Sequence, residues 1–507
     1  MLSKVRTCSI TGLEVTRIEV EVDISNGLPN INVVGLPDTS IKESKERVRA
    51  AIKNSDLDFP MKRITINLSP ADTKKEGSHF DLPIALGILG ASKQVPVDKL
   101  KETLILGELS LDGRTNKVNG VLPMLLEMYN QGIKKVIIPY ENLEEAKIVE
   151  GIDAIPVKNL KEIALHLMGE EKIPNYIGES NYNNNEGISN EDFKNIRGQE
   201  NLKRGLEIAA SGNHNLLMVG PPGSGKTMAA RSIPSILPKL TFYEALEITK
   251  IYSVAGLINS NEGLVKNRPF RSPHHTSSLV ALTGGGRVPK PGEVSLSHYG
   301  VLFLDELPEF NKQALEVLRQ PLEDRSINIS RVNGSYRYPA DFMLIASMNP
   351  CPCGHYGTDS GHECTCTPYE IRRYSNKISG PLMDRIDIIV ETSSVEYKDL
   401  ISNNREESSN EIRGRVEKAR DIQLDRYKNT NYIFNSQLSG ESIKKYCLLT
   451  SSAKKLMDLA FDKMKLSARG YSRVLKVART IADLDESNVI TDSHLAEALQ
   501  YRNINKS

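Results

Sequence analysis

The stretch Leu216-Leu-Met-Val-Gly220-Pro221-Pro222-Gly223-Ser224-Gly225-Lys226-Thr227 decides the reading of this chain. It opens on an apolar run of the kind buried on both faces of a sheet, and from Gly220 onward it fits G-x-x-x-x-G-K-[ST]. Glycines let backbone N–H groups close around an anion, and a helix opening behind the loop adds the positive end of its dipole. The spacing predicts that helix from Thr227. Lys226 then reaches the β- and γ-phosphates of a nucleotide, and the Thr227 hydroxyl holds Mg²⁺. Gly220, Pro221, Pro222, Gly223, Ser224 and Gly225 form the rest of the cradle.

A second buried-type strand, Val301-Leu-Phe-Leu, ends in Asp305-Glu306. Alone, such a run describes a solvated strand end. Downstream of a phosphate loop it places Asp305 to position Mg²⁺ and Glu306 to polarise an attacking water. A third apolar run, Met343 to Ser347, leads to Asn349, which either orients that water or caps a turn. ATP and Mg²⁺ are therefore the expected ligands.

At 507 residues the chain is too long for one core and suggests about three domains. Residues 1–168 mix strand-like alternation (Arg17 to Ile24, Arg63 to Leu68, Lys135 to Ile138) with helical stretches (Ser40 to Asn54, Leu82 to Leu89). The polar segment 169–191, with its NYNNNEG, reads as a linker. Residues 192–393 carry the nucleotide chemistry. Residues 394–507 become helical over Ser451 to Leu466, Ser472 to Leu484 and Thr491 to Asn503.

The formal net charge of +1 gives no global basic field, although a ring can confine its basic residues to a pore. The longest apolar stretch, Phe80 to Ala91, contains Asp81 and Pro83 and is too short for a membrane span. No signal peptide opens the chain, so a cytoplasmic protein without membrane contact is expected. Six cysteines in this length are no disulfide framework. Cys351-x-Cys353 and Cys364-x-Cys366 could offer thiolates to a structural Zn²⁺, with His355 or His362 as substitutes, or remain free thiols or form an occasional disulfide. Cys8 and Cys447 read as ordinary buried cysteines.

These motifs, in this order, resemble the YifB/ComM family of magnesium-chelatase-like AAA+ ATPases. The resemblance rests further on Ile196-Arg-Gly-Gln199, Arg271-Ser-Pro-His-His275, Gly284-Gly-Gly286, Pro291 to Leu296, Gly300 to Phe310, Ser347 to Gly354 and Ser379 to Asp387. It implies an α/β fold: an AAA+ P-loop NTPase core with a parallel sheet, an N-terminal α/β Lon-protease-like domain and a C-terminal all-helical lid. By the same resemblance Arg385 looks like the arginine finger serving a neighbour's site, and Arg473 like the lid's sensor arginine. Arg469, Arg372 and Arg373 compete for these roles. A finger supplied in trans implies a homo-oligomeric ring, a hexamer.

Aligned with Lon, His79 falls where the catalytic serine would sit, Ser78 is one position off, and Met124 falls at the catalytic lysine. A serine without that lysine has no base, so a protease is the weaker expectation. Ser326 to Arg331 and Gly334 to Tyr338, joined through Asn333-Gly334, predict a hairpin. In related replicative helicases a hairpin at this place enters the pore, which would give Arg331 and Arg337 phosphate contacts and Tyr336 a stacking role. Arg268 to Ser278 resembles a second pore insert, or an interface segment. The resemblance thus implies a motor on single-stranded or branched DNA, a branch-migration helicase of recombination and natural transformation. The alternative it carries is a chelatase-like ATPase that remodels a partner protein.

Overall fold

The computed structural model describes residues 2–179, 191–259, 261–286, 289–331, 334–358, 362–393 and 406–502. Asn333, residues 180–190 of the expected linker, residues 394–405 at the start of the expected lid and the Arg331 side chain lie outside the described residues. Two compact units are present. One comprises Met1–Asn184, Thr241–Lys266 and Ser330–Tyr338; the other comprises Asn185–Leu240, Asn267–Ile329 and Pro339–Ser507.

The first unit is built on an eight-stranded mixed sheet in the order Tyr176–Ile177, Asp153–Val157, Lys135–Pro139, Thr103–Ile105, Leu2–Thr11, Glu14–Ser25, Arg63–Ser69 and Asn30–Val34. Val5, Val20 and Ile66 share one apolar layer with the helices Thr39–Asn54 and Asp81–Ala91. Cys8, Leu104 and Val136 share the other with helix Val121–Asn130. Every residue of Asp81–Ala91 is buried, which is why its sequence is apolar all round rather than striped. Helix Phe242–Ala255, which follows the phosphate loop in sequence, packs on Val121–Asn130 within this same unit. The Gly120 amide donates to the Ser253 carbonyl at 2.9 Å.

The second unit holds a five-stranded sheet in the order Phe270–Arg271, Val301–Leu304, Met343–Met348, Leu216–Val219 and Ile388–Glu391. Every neighbouring pair is parallel, with Leu216 opposite Ile345 and Ile388, and Val301 opposite Met343. Parallel strands need crossovers and bury both faces, which matches the uninterrupted apolar runs seen in the sequence. Helix Glu200–Gly212 packs against the strand Ile388–Glu391 and against the helices Ser409–Tyr427 and Ala468–Leu484. The C-terminal helices, which also include Glu441–Tyr446, Ser451–Lys463 and Asp492–Gln500, therefore share one core with the sheet. Among the described residues no helix is long and apolar enough to cross a membrane.

Within those helices Arg479 is fully buried, 3.0 Å from Asp483, and it donates to the Asn488 carbonyl at 2.8 Å. Asp483 also accepts from Arg426 and from Asn435, each at 2.8 Å. Removing the shared carboxylate would leave two guanidinium groups competing in a desolvated site. Asp483→Ala is expected to cost about 3–5 kcal/mol, read as a lowered denaturant midpoint, whereas loss of an exposed pair such as Lys161–Asp56 should shift it little.

Candidate functional site

Parallel strands send their carboxyl ends to one edge, and three of the five deliver polar groups there. The helix Lys226–Ser232 begins one residue earlier than expected, so Lys226 lies at its first turn. Its Nζ donates to the carbonyls of Gly220 and Pro221, each at 2.8 Å, and lies 3.3 Å from Ser224 Oγ and 3.5 Å from Asn349 Oδ1. Burial pushes the Lys226 amine below its ordinary value, against the attraction of Asp305 and Glu306. Thr227 Oγ1 donates to Asp305 at 2.9 Å, and the other oxygen of Asp305 accepts from Ser347 Oγ.

Glu306 is exposed and takes a left-handed backbone conformation, φ 53°, at the turn into Leu307–Glu309. That strain, about 1 kcal/mol for a residue with a Cβ, aims its carboxylate out from the sheet edge. The amine, hydroxyl and carboxylates converge as Mg–ATP requires. A Cβ on Gly223 or Gly225 would meet nothing within 4 Å, so the cradle stands open above them.

Arg385 and Arg473 lie at the opposite edge. The Asn215 side chain, just before the strand Leu216–Val219, donates to the Arg385 carbonyl at 2.8 Å, and Asp387 just before Ile388–Glu391 donates its N–H to the Asn215 carbonyl. Arg473 Nε is 3.6 Å from Asp387. Both guanidinium groups line a cavity of about 510 Å³ together with Arg469, Arg325 and Lys476. Four residues of strand separate this edge from the phosphate loop, about 13 Å at the usual rise. Arg473 thus sits near the amino ends of the strands, with Asp384 and Asp387 as its acidic neighbours. Its Nη1 is buried without a hydrogen-bond partner, and burial lowers its pKa. Arg385 pairs with Glu323 and donates to the carbonyls of Pro381 at 2.6 Å and Arg319 at 3.2 Å. Despite its burial, Asp387 is pulled down to about 2 by a hydrogen bond from His214 and by the charges of Lys476 and Arg473. Arg372 and Arg373 are exposed on the helix Pro368–Ser375.

The sulfurs of Cys351, Cys353, Cys364 and Cys366 lie within 4.8 Å of one another. The separations Cys351–Cys353, Cys351–Cys364 and Cys353–Cys364 are 3.3, 3.7 and 3.6 Å. These are far beyond a disulfide bond and close to the edge of about 3.8 Å of a tetrahedron with metal–sulfur bonds of about 2.3 Å. His355 and His362 face each other, ring centroids 5.1 Å apart, and are not members of the group.

Comparison with known proteins agrees with this geometry. Residues 192–400 match the family described as magnesium chelatase, subunit ChlI, residues 20–142 match subunit ChlI of Mg-chelatase, and residues 406–502 match its C-terminal region. Competence protein ComM of Haemophilus influenzae is 43% identical over 97% of this chain and 95% of its own length. The chain belongs to the YifB/ComM family of magnesium-chelatase-like AAA+ ATPases. Protein YifB of Escherichia coli is 42% identical over 100% of this chain and 98% of its own. Lon protease 2 of Bacillus subtilis is 29% identical over 29% of each chain, in keeping with a Lon-like N-terminal part. Membership in the YifB/ComM family makes ATP and Mg²⁺ the ligands of the phosphate loop.

In the Lon-like unit of this YifB/ComM chain, Ser78 is set against a carboxylate and not an amine. The Ser78 hydroxyl donates to Glu108. His79 is buried, 2.9 Å from the Cys8 carbonyl, and burial holds it down at about 4. Met124 is fully buried in its helix.

The expected hairpin is present as Ser326–Arg331 and Gly334–Pro339. Arg337 is exposed, but Tyr336 is buried at 7% exposure, its ring over Gly12, and Tyr338 is fully buried beside it. Tyr336 therefore offers no open face to a base, because its alternate position points into the first unit. Arg268 and Arg271 are likewise engaged. The former donates to the carbonyls of Pro238 and Tyr299 at 2.6 and 2.7 Å, and the latter forks onto Glu293 at 2.6 and 2.7 Å.

Two contacts in the site were not evident from the sequence. Ser347 holds Asp305, and its signal was its place one turn of strand before Asn349. His275 Nδ1 sits 3.6 Å from the Glu306 carboxylate, which brings the Arg271–His275 motif to the acidic pair. Ser347→Ala and His275→Ala are each expected to lower kcat for ATP about tenfold with a smaller change in KM, measured by steady-state hydrolysis. Lys226→Ala should abolish nucleotide binding.

Proposed function

We propose that the chain assembles into a ring, with six copies as the fitting number, and uses Mg–ATP hydrolysis to drive branch migration of DNA in recombination. The observation that carries this reading is the full-length match to a protein named for competence. Bound Mg–ATP supplies the phosphoanhydride and the metal that neutralises its charge. Lys226 holds the phosphate oxygens, Thr227 and Asp305 hold the metal, Glu306 takes a proton from water, and Asn349 orients that water.

The edge carrying Arg385 and Arg473 supports a site completed in trans, because neither arginine faces the phosphate loop of its own chain. A head-to-tail contact of that kind closes into a ring. Arg337 is an exposed hairpin cation available to a phosphate, and Arg331 ends the preceding strand of the same hairpin. The four cysteines are proposed to hold zinc, and the chain to work in the cytoplasm. The engaged Arg268 and Arg271 and the buried Tyr336 favour the second reading, a chelatase-like motor acting on a partner protein.

Hydrolysis measured with and without single-stranded and branched DNA separates the two. DNA stimulation that falls steeply between low and moderate salt and weakens in Arg337→Ala supports the DNA motor. Turnover indifferent to DNA but raised by a partner protein would replace it. Glu306→Gln should be inactive in both cases. For the trans arrangement, Arg385→Ala and Glu306→Gln are each expected to be inactive alone and to recover part of the activity when mixed. No recovery on mixing would place Arg385 outside the neighbour's site.

A further inference from the structure

The cysteine cluster is not a remote knob on the ATPase core. The strand Met343–Met348 runs into Asn349, and Cys351 follows two residues later, fully buried. The Gly220 amide of the phosphate loop donates to the Met348 carbonyl at 3.2 Å, so the chain enters the cluster while still hydrogen-bonded to the cradle. Between the cysteines of the first pair and Tyr356 the chain folds back tightly. The Gly354 amide donates to the Cys351 carbonyl at 3.0 Å, and the Tyr356 amide to Cys351 Sγ at 3.3 Å.

That fold presses Gly354 onto the phosphate loop. A Cβ there would lie 2.6 Å from Pro222 Cδ and 2.9 Å from Pro222 Cγ, and Gly354 has φ +88°. Pro222 has little freedom to withdraw, because its ring is part of the cradle backbone.

The second cysteine pair closes the circuit from the other side. Cys366 is followed at once by Thr367, which caps the helix Pro368–Ser375 in a reciprocal pair with Glu370. Tyr374 of that helix, 6% exposed, is buried in the same apolar layer as Met348, the residue before Asn349. The strand end at Met348 and Asn349 is thus flanked by two arms, one ending in Cys351 and Cys353 and the other beginning at Cys364 and Cys366. The four sulfurs meet where the two arms come together. Four thiolates at tetrahedral spacing with no metal between them repel one another, whereas a divalent cation fixes them at one separation.

We propose that the metal of the four-cysteine cluster is the positioning element of the nucleotide site. It clamps Asn349 and, through Gly354 on Pro222, holds the phosphate loop in its binding shape. The inference rests on the zinc reading given above. Groups one shell removed from a reacting centre commonly change affinity or rate by factors of 10–100, so a clamp at this distance is sufficient to switch turnover.

The test uses the full-length protein purified without added chelator. Zinc per chain is determined by elemental analysis, and affinity for a fluorescent ATP analogue and ATP turnover are then measured. The zinc is removed with a strong chelator, the chelator is separated by gel filtration before Mg²⁺ is added, and both measurements are repeated before and after returning Zn²⁺ alone. Nucleotide affinity and kcat are each expected to fall about tenfold on removal and to return with Zn²⁺ while far-ultraviolet circular dichroism stays unchanged. Gly354→Ala, which keeps all four thiols, is expected to bind zinc normally and still lose ATP affinity. Absence of zinc from the purified protein, with none taken up on addition, would overturn the zinc reading itself. One zinc per chain whose removal leaves affinity and turnover unaltered, with Gly354→Ala equally silent, would overturn the clamp and leave the zinc reading standing.

Discussion

Parallel pairing in the five-stranded sheet is the constraint on which the rest of the second unit depends. Because Leu216–Val219 runs alongside both Met343–Met348 and Ile388–Glu391 in the same direction, the loops after these strands must emerge at one edge. Val301–Leu304 adds Asp305 and Glu306 to that edge. Each strand is only four to six residues long, so little backbone lies between the reacting groups and the residues that fix the register. The amino ends meet at the far edge for the same reason, and there Arg385, Arg469, Arg473 and Lys476 line one cavity with Glu323, Asp341 and Asp387. One sheet therefore has two rims of different chemistry, with loop amides, Lys226 and the acidic pair at the first and interleaved cations and carboxylates at the second.

The balance of charge at these rims is kept by burial as much as by proximity. Lys226 rests on carbonyl oxygens of its own loop and is held below its ordinary value by desolvation, so a phosphate replaces weak acceptors with a full counter-charge. Arg473 Nη1 is buried without a hydrogen bond, 3.9 Å from Asp384, beside an Asp387 already engaged by His214. A buried donor in that state is costly unless an acceptor closes on it.

Much of the nucleotide site was legible in the sequence because its chemistry demands particular residues at fixed intervals. Gly220 to Thr227, Asp305-Glu306 and Asn349 all sit at ends of apolar runs, and the runs themselves announce strands buried on both faces. Legibility failed where a side chain's partner is distant in sequence. Ser347 looked like the last residue of a strand, yet it orients Asp305. His275 belonged to a motif whose target was not evident, and the structure sets it against Glu306. Tyr336 has the composition of a base-stacking residue, and only the packing over Gly12 reveals that its face is taken. The strand Leu2–Thr11 was missed because Ser3, Thr7 and Ser9 are buried, so alternation of apolar and polar letters did not mark its two faces. The motif around Arg473 said nothing about which end of the sheet the helix Ala468–Leu484 would bring it to.

The chain enters the first compact unit three times, through its N-terminal part, through Thr241–Lys266 and through Ser330–Tyr338. Leu246 of helix Phe242–Ala255 packs into the apolar layer of Val121–Asn130. The N-terminal part is consequently not a detachable module that evolution or a molecular biologist can exchange at a linker. Cutting it away would strip the cover from a helix and a strand whose codons lie hundreds of bases downstream, and a graft from a relative would succeed only if all three segments travelled together.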